Sequence, residues 1–184
     1  MTRLLSIASV ALVAGVGFSS LSCAETISLT KPNGQQVQID ATLVLRIRAA
    51  ILSADESLPH VPGAIGKTRV DWAQTNQVKE EAATVAKVVV TSLPTLTQLT
   101  LPDGDPIWLD GRKSSGPTFV PSTDKMAGVK SALIIGNKRQ LLANSPEEVA
   151  AAIKAAGGDA RPIPSANIEA LTVTIEDWDA PPLK

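Results

Sequence analysis

The chain has 184 residues but one cysteine, one histidine, no tyrosine and only 3% aromatic residues. Each scarcity excludes something. A single cysteine, Cys23, cannot close an internal disulfide, so any core must hold without one. A single histidine, His60, excludes a zinc site built on several His ligands and would have to carry any Ser-His-Asp triad alone. It sits in Leu58-Pro59-His60-Val61-Pro62-Gly63, between prolines, and reads as a loop residue. Neither charge sign dominates: 17 basic residues stand against 18 acidic ones. That balance argues against a nucleic-acid partner, which would call for a strongly basic domain. Long apolar runs are also lacking. The most apolar stretch, Leu4 to Phe18, is 15 residues, short of the roughly 20 that a membrane-spanning helix needs.

That stretch reads instead as export machinery. Arg3 precedes it, and Ser19-Ser20-Leu21-Ser22-Cys23-Ala24 follows with small residues. This is the layout of a secretory signal peptide. Small residues at Ser22 and Ala24 predict cleavage that leaves Glu25 first. The alternative is cleavage before Cys23 with lipid on its sulfur, giving a membrane-anchored lipoprotein. The first reading makes the chain periplasmic or secreted and the second holds it at the membrane through its lipid; in both, no transmembrane segment is expected after signal removal. Arg3 is the one charge removed with residues 1–24, so the remaining 160 residues carry 16 basic and 18 acidic side chains.

One stretch occurs twice. Lys31-Pro32-Asn33-Gly34-Gln35-Gln36-Val37-Gln38-Ile39-Asp40 aligns with Leu101-Pro102-Asp103-Gly104-Asp105-Pro106-Ile107-Trp108-Leu109-Asp110. Asn-Gly and Asp-Gly are strong hairpin signals, expected here as two-residue turns with both residues at positive φ. The flanks alternate, with Ile27, Leu29, Val37 and Ile39 in one copy and Leu99, Leu101, Ile107 and Leu109 in the other. Pro106 has no N–H and predicts an edge strand, or a strand that starts after it. Further on, Val78-Lys79-Glu80 corresponds to Leu142-Ala143-Asn144, each leading into a helical pattern. The second helix has clear start signals: Ser145 as N-cap, Pro146 at N1 and Glu148 at N3 as a capping box. The first carries Ala82, Val85, Val88 and Val89 and ends before Pro94.

Between hairpin and helix, Leu43 to Arg48 and Lys67 to Trp72 alternate as strands. The second copy repeats Ser131 to Ile135, a Gly136-Asn137 turn and Arg139 to Ala143. Its middle strand looks lost, since Gly111 to Gly128 reads as a loop with a short strand at Thr118 to Val120. The expectation is an α+β fold of two related β-rich units: β-hairpin, strand, β-hairpin, helix. The segments are a signal peptide (1–24), a first unit (25–92), a second unit (97–158), and a linker, strand and tail (159–184). Leu171, Val173 and Ile175 mark the last strand.

With Asn33, Gly34, Asp40, Lys79, Glu80 and Val85, and with Gly104, Asp110, Ser145, Glu147, Glu148 and Val149, each half resembles the small flagellar proteins of the FlbD type. The resemblance covers about 120 residues as two copies. It implies an architecture and no flagellar role, because those proteins are cytoplasmic single units.

Motifs for catalysis and cofactors fall short. Lys113 with Ser114 or Ser115 could form a Ser-Lys pair, but an amine in a solvated loop keeps its ordinary pKa and makes a poor base. Gly63-Ala64-Ile65-Gly66-Lys67-Thr68 has a glycine missing from the phosphate-loop spacing and precedes a strand rather than a helix. Asp103, Asp105 and Asp110 are poorly spaced for calcium, with Ile107 at a ligand position. No metal and no cofactor is expected. Trp72 has core parity, whereas Trp108 and Trp178 fall on a second, half-exposed face. Arg46 and Arg48 share one strand face and Lys67 and Arg69 another. If those strands pair, four positive charges line one surface, either solvated or facing an anion. The ligand-binding residues expected on this basis are Arg46, Arg48, Lys67, Arg69 and Trp108, beside the unshared spans Leu52 to Ile65 and Gly111 to Gly128. The functional expectation is a non-catalytic binding or assembly module of the cell envelope, whose partner is a protein or an anionic envelope component. The alternatives are a lipoprotein anchored at Cys23 and a hydrolase with an unrecognised active site.

Overall fold

A computed structural model describes residues 25–51, 66–120, 128–164 and 176–177. The signal segment, Cys23, His60, the Gly63–Ile65 part of the phosphate-loop-like run, the 171–175 strand and Trp178 lie outside the described residues. The fold is α+β and rich in strands. β1 (Thr26–Thr30) and β2 (Gln36–Asp40) form a hairpin, followed by a 3-10 turn (Ala41–Leu43), β3 (Arg46–Ala49), the β4 (Thr68–Asp71) and β5 (Thr75–Val78) hairpin, and helix α1 (Ala82–Ser92). The same succession then recurs. It runs through β6 (Leu96–Thr100), β7 (Pro106–Asp110), a 3-10 turn (Gly111–Lys113), β8 (Ser114–Thr118), β9 (Ser131–Ile135), β10 (Lys138–Leu142) and helix α2 (Pro146–Ala155). β11 (Glu176–Asp177) adds a short parallel strand to β10.

Local bonds recur too. Lys31 N–H donates to the Gln35 carbonyl and Leu101 N–H to that of Asp105, both at 2.8 Å. Gly34 N–H donates to Lys31 O at 2.9 Å and Gly104 N–H to Leu101 O at 3.0 Å. Asp40 and Asp110 each accept from the backbone two residues on, at Thr42 and Arg112, and so start the 3-10 turns. Lys79 N–H reaches Thr30 O and Ala143 N–H reaches Thr100 O. Next to them, Glu80 accepts from Thr30 N–H and Asn144 from Thr100 N–H.

Three details differ from the sequence expectation. The hairpin turns are not two-residue turns. The bond from the fourth residue back to the first makes Lys31–Gly34 a four-residue β-turn, closed by Gly34 (φ 87°) in the left-handed region. Pro32 suits the observed turn, because its ring presets the negative φ that the second turn position takes. Pro106 opens β7, as its missing N–H allows, but β7 lies inside its sheet and not at an edge. The middle strand of the second half is present as β8. Its Gly-Pro content hid it: the register shifts between Ser115 and Thr118, and Pro117 falls in that irregular part of the ladder.

The described strands form three sheets, ordered β1-β2, β11-β10-β9-β8 and β5-β4-β3-β7-β6. The hairpin of the second half thus completes the sheet of the first, through β3 against β7. Register separates that sheet's faces. On one, Ile47, Val70, Val78 and Leu96 pack with Ile27, Leu29 and Ile39 of the first hairpin and Val85, Ala86 and Val89 of α1. On the other, Leu99, Ile107 and Leu109 pack with Leu133, Ile135 and Leu142 of the second sheet and Val149 and Ile153 of α2. α2 carries the expected capping box, with Glu148 N–H donating to Ser145 Oγ and Ser145 N–H to Glu148 Oε2. Among the described residues, no helix is long and apolar enough to cross a membrane.

A Cβ at Gly104 meets no atom within 4 Å, so its positive φ of 98° alone would resist a side chain. Gly104→Ala should therefore cost ~1–2 kcal/mol, read as a lower urea midpoint with an unchanged circular dichroism spectrum.

Candidate functional site

β3 is short and carries arginines on both sides of Ile47. In an antiparallel ladder, residues directly opposite share a face. Arg46 lies opposite Asp71 and Arg48 opposite Arg69 on one side, with Leu109 and Ile107 as their partners on the other. One face of the central sheet therefore divides: its β6–β7 part is apolar and its β3–β5 part is polar. Both parts turn toward the second sheet.

The expected basic surface does not form. Arg46 and Arg48 are fully buried. Packing two sheets face to face removes this face from water, and the polar side chains there answer one another. Arg46 Nε donates to Asp71 Oδ2 at 2.7 Å, and its Nη1 donates to Gln140 Oε1 on β10 at 2.8 Å. Arg69 Nε donates to Asp71 Oδ1 at 2.9 Å, and the Thr75 hydroxyl donates to the same oxygen at 2.7 Å. Asp71 thus holds two arginines and joins β3, β4 and β5. Burial pushes its carboxyl up, but Arg46, Arg69 and the Thr75 hydroxyl outweigh that and hold it below the usual aspartate range. Lys67 stands apart on the surface, paired with Glu81 at 2.6 Å. Trp108 pairs with Ile47 across β3 and β7, and Trp108 and Trp72 both pack half-buried against the first core.

The outer end of this network opens into a cleft of about 350 Å³, between the β4–β5 turn and the β9–β10 turn. Arg69, Asp71, Trp72 and Thr75 line one wall, and Asn137 and Lys138 the other. The Trp72 indole N–H is buried and, among the described residues, has no hydrogen-bond partner. Of the expected binding residues only Arg69 reaches this cleft. Lys138 was missed, because the sequence places it next to a hairpin turn with nothing to show which opposite wall it faces.

The other candidate residues have local duties. Lys113 Nζ is held by Asp110 at 3.1 Å and by the Thr42 carbonyl at 3.2 Å, while the Ser114 hydroxyl donates to the Asp110 carbonyl at 2.9 Å. Asp110 also accepts from the Thr95 hydroxyl at 2.7 Å, and Asp103 accepts from Asp105 N–H within its turn. Among the described residues, no group of three or more His, Cys, Asp or Glu side chains is placed to hold a metal ion.

Asp71→Ala should destabilise the fold by ~3–5 kcal/mol, because it leaves Arg46 buried without its carboxylate. A double change of Arg46 and Asp71 to leucine should recover much of that loss. The lowered carboxyl also fixes a pH effect. Its stabilisation is fully present above the unfolded value near 3.8 and fades as pH falls through the lower folded value. Urea midpoints of the wild type should therefore drop on acidification below about pH 4, and by less in Asp71→Asn.

No protein-family model, curated protein or solved structure matches this chain.

Proposed function

We propose that this chain is an exported, non-catalytic binding or assembly module of the cell envelope, built from two related β-rich units. The reading is carried by the cleft between the two turns. It combines the cations of Arg69 and Lys138 with the half-buried indole of Trp72, on a scaffold made rigid by both sheets. Such a combination suits a small or extended ligand with an acidic group and a flat apolar part: the guanidinium and ammonium meet the charge, and the ring takes the rest. Asp71 does not cancel the attraction, since the buried Arg46 pairs with its carboxylate as well and two guanidinium groups against one carboxylate leave the cluster net positive. The export reading rests on Arg3, the Leu4 to Phe18 run and the small residues up to Ala24. The recurrence of elements and bonds at corresponding positions favours the tandem-unit reading. Leu21-Ser22 before Cys23 keeps a lipoprotein as the second reading, and the intact mass of the exported protein separates a Glu25 start from an acylated Cys23.

Binding is testable by tryptophan fluorescence, using oligogalacturonates and an Asp/Glu-rich peptide as probes. One probe should give a saturable change that Trp72→Phe removes. Lys138→Gln should weaken it about tenfold, or ~1.4 kcal/mol. Absence of saturation with every probe, or an affinity indifferent to Lys138→Gln, would count against the cleft as the site.

A further inference from the structure

The two hairpins hold equivalent positions in their halves, yet their outer edges differ. β7 is bonded by β6 on one side and β3 on the other. Among the described residues β2 is bonded by β1 alone, in a sheet of two strands. The direction of its free groups follows from its neighbours. Gln35 O accepts from Lys31 and Ala41 N–H donates to Glu25, so the odd-numbered residues turn their backbone groups toward β1. Backbone alternation then turns the N–H and C=O groups of Gln36, Gln38 and Asp40 outward. Natural edges are guarded with lysine, proline or a bulge. β2 reads Gln-Val-Gln-Ile-Asp, is regularly paired along its length, and has none of these guards.

We infer that the outer edge of β2 is a self-association surface whose occupant is β2 of a second copy of this chain, paired antiparallel about a two-fold axis at Gln38. The sequence is self-complementary in that register. Gln38 faces itself and exchanges two backbone bonds with its counterpart. Gln36 faces the second copy's Asp40 and exchanges two more at each end. Val37 lies beside the second copy's Ile39, and no like charges stand opposite one another. The surroundings favour a protein surface of the same kind. Four large apolar side chains are well exposed among the described residues, and three of them lie on the turn after β2 and on α1: Leu43 at 45%, Val88 at 46% and Val90 at 40%. α1 packs on that turn, which places this apolar exposure near the open strand. A two-fold contact closes after two copies and leaves no free strand to extend a fibre. The inference stands apart from the cleft and its ligand.

The test uses the mature chain. Sedimentation equilibrium should give a concentration-dependent dimer for the wild type. Gln38→Lys sets two ammonium groups opposite each other across the axis and should give a folded monomer with the wild-type circular dichroism spectrum. A hydrogen-bonded antiparallel pair brings Cα atoms to about 5.5 Å, within the roughly 4.4–6.8 Å reach of a disulfide. Gln38→Cys, with Cys23→Ser where Cys23 is retained, should therefore oxidise to a covalent dimer. A wild type that stays monomeric at hundreds of micromolar overturns the inference and leaves the edge to an extended segment of another protein. A dimer that survives Gln38→Lys, and that oxidation of the Gln38→Cys variant does not link covalently, overturns it equally.

Discussion

The pairing of β3 with β7 is the constraint on which the rest of the molecule depends. β3 has only four residues, and it is the strand through which the two halves share a sheet. Because β7 takes its outer edge, the second hairpin cannot lie in a sheet of its own as the first does. Its Ile107 and Leu109 are carried over the second sheet and α2, while Ile47 between the arginines faces α1 and the first hairpin. β3 thus sends Ile47 to one core and its two arginines to the polar half of the opposite face, by a single parity choice. A slip of one residue would send Arg46 and Arg48 into the first core and Ile47 into the polar network, so register here is strongly specified.

That parity also accounts for the ion network. A polar half-face turned toward another sheet must be satisfied internally, since a buried group without a partner costs more than a hydrogen bond returns. Arginine suits the position because its fork can reach two acceptors at once. Arg46 uses it to tie Asp71 of its own sheet to Gln140 of the other. The apolar half of the face supplies attraction without direction, and this bond supplies direction. The outer end of the network opens into the cleft, where the residues of the β4–β5 and β9–β10 turns supply the walls.

Much of the order of elements was legible. Turn dipeptides, alternating flanks and the Ser145–Glu148 box are local signals, and locally determined features follow from local sequence. The 3-10 turns after Asp40 and Asp110 were legible in part, as the closing aspartates of a repeated motif. Two things were not legible for the same reason. The fate of Arg46 and Arg48 depends on what lies across a sheet face, and alternation cannot distinguish a solvated polar face from one buried against Gln140. The joining of the hairpin to β3 is a pairing between distant segments, and Pro106 suggested an edge until a strand on its far side was seen. β8 shows the opposite failure. Its Gly116 and Pro117 are poor ladder residues, so propensity pointed to a loop, while the partners on either side made a strand.

Under the proposed tandem reading, this contrast between β3 and β8 explains where the two units drifted apart. β3 lies between β4 and β7 and supports a ladder on both sides, which favours residues that can donate along its length. β8 has β9 on one side and on the other only the bridges from Ser115 to Asp159 and from Thr118 to Ile163. There the chain's own continuation takes the edge: Gly116 N–H donates to Asp159 O and Ile163 N–H donates to Pro117 O. Pro117 needs no donor for that arrangement, since it is used as an acceptor. The divergence of the middle strands therefore follows from what each one borders. The edge of β8 is thus covered by the segment after α2, whereas among the described residues β2 keeps a regular edge with no strand on it.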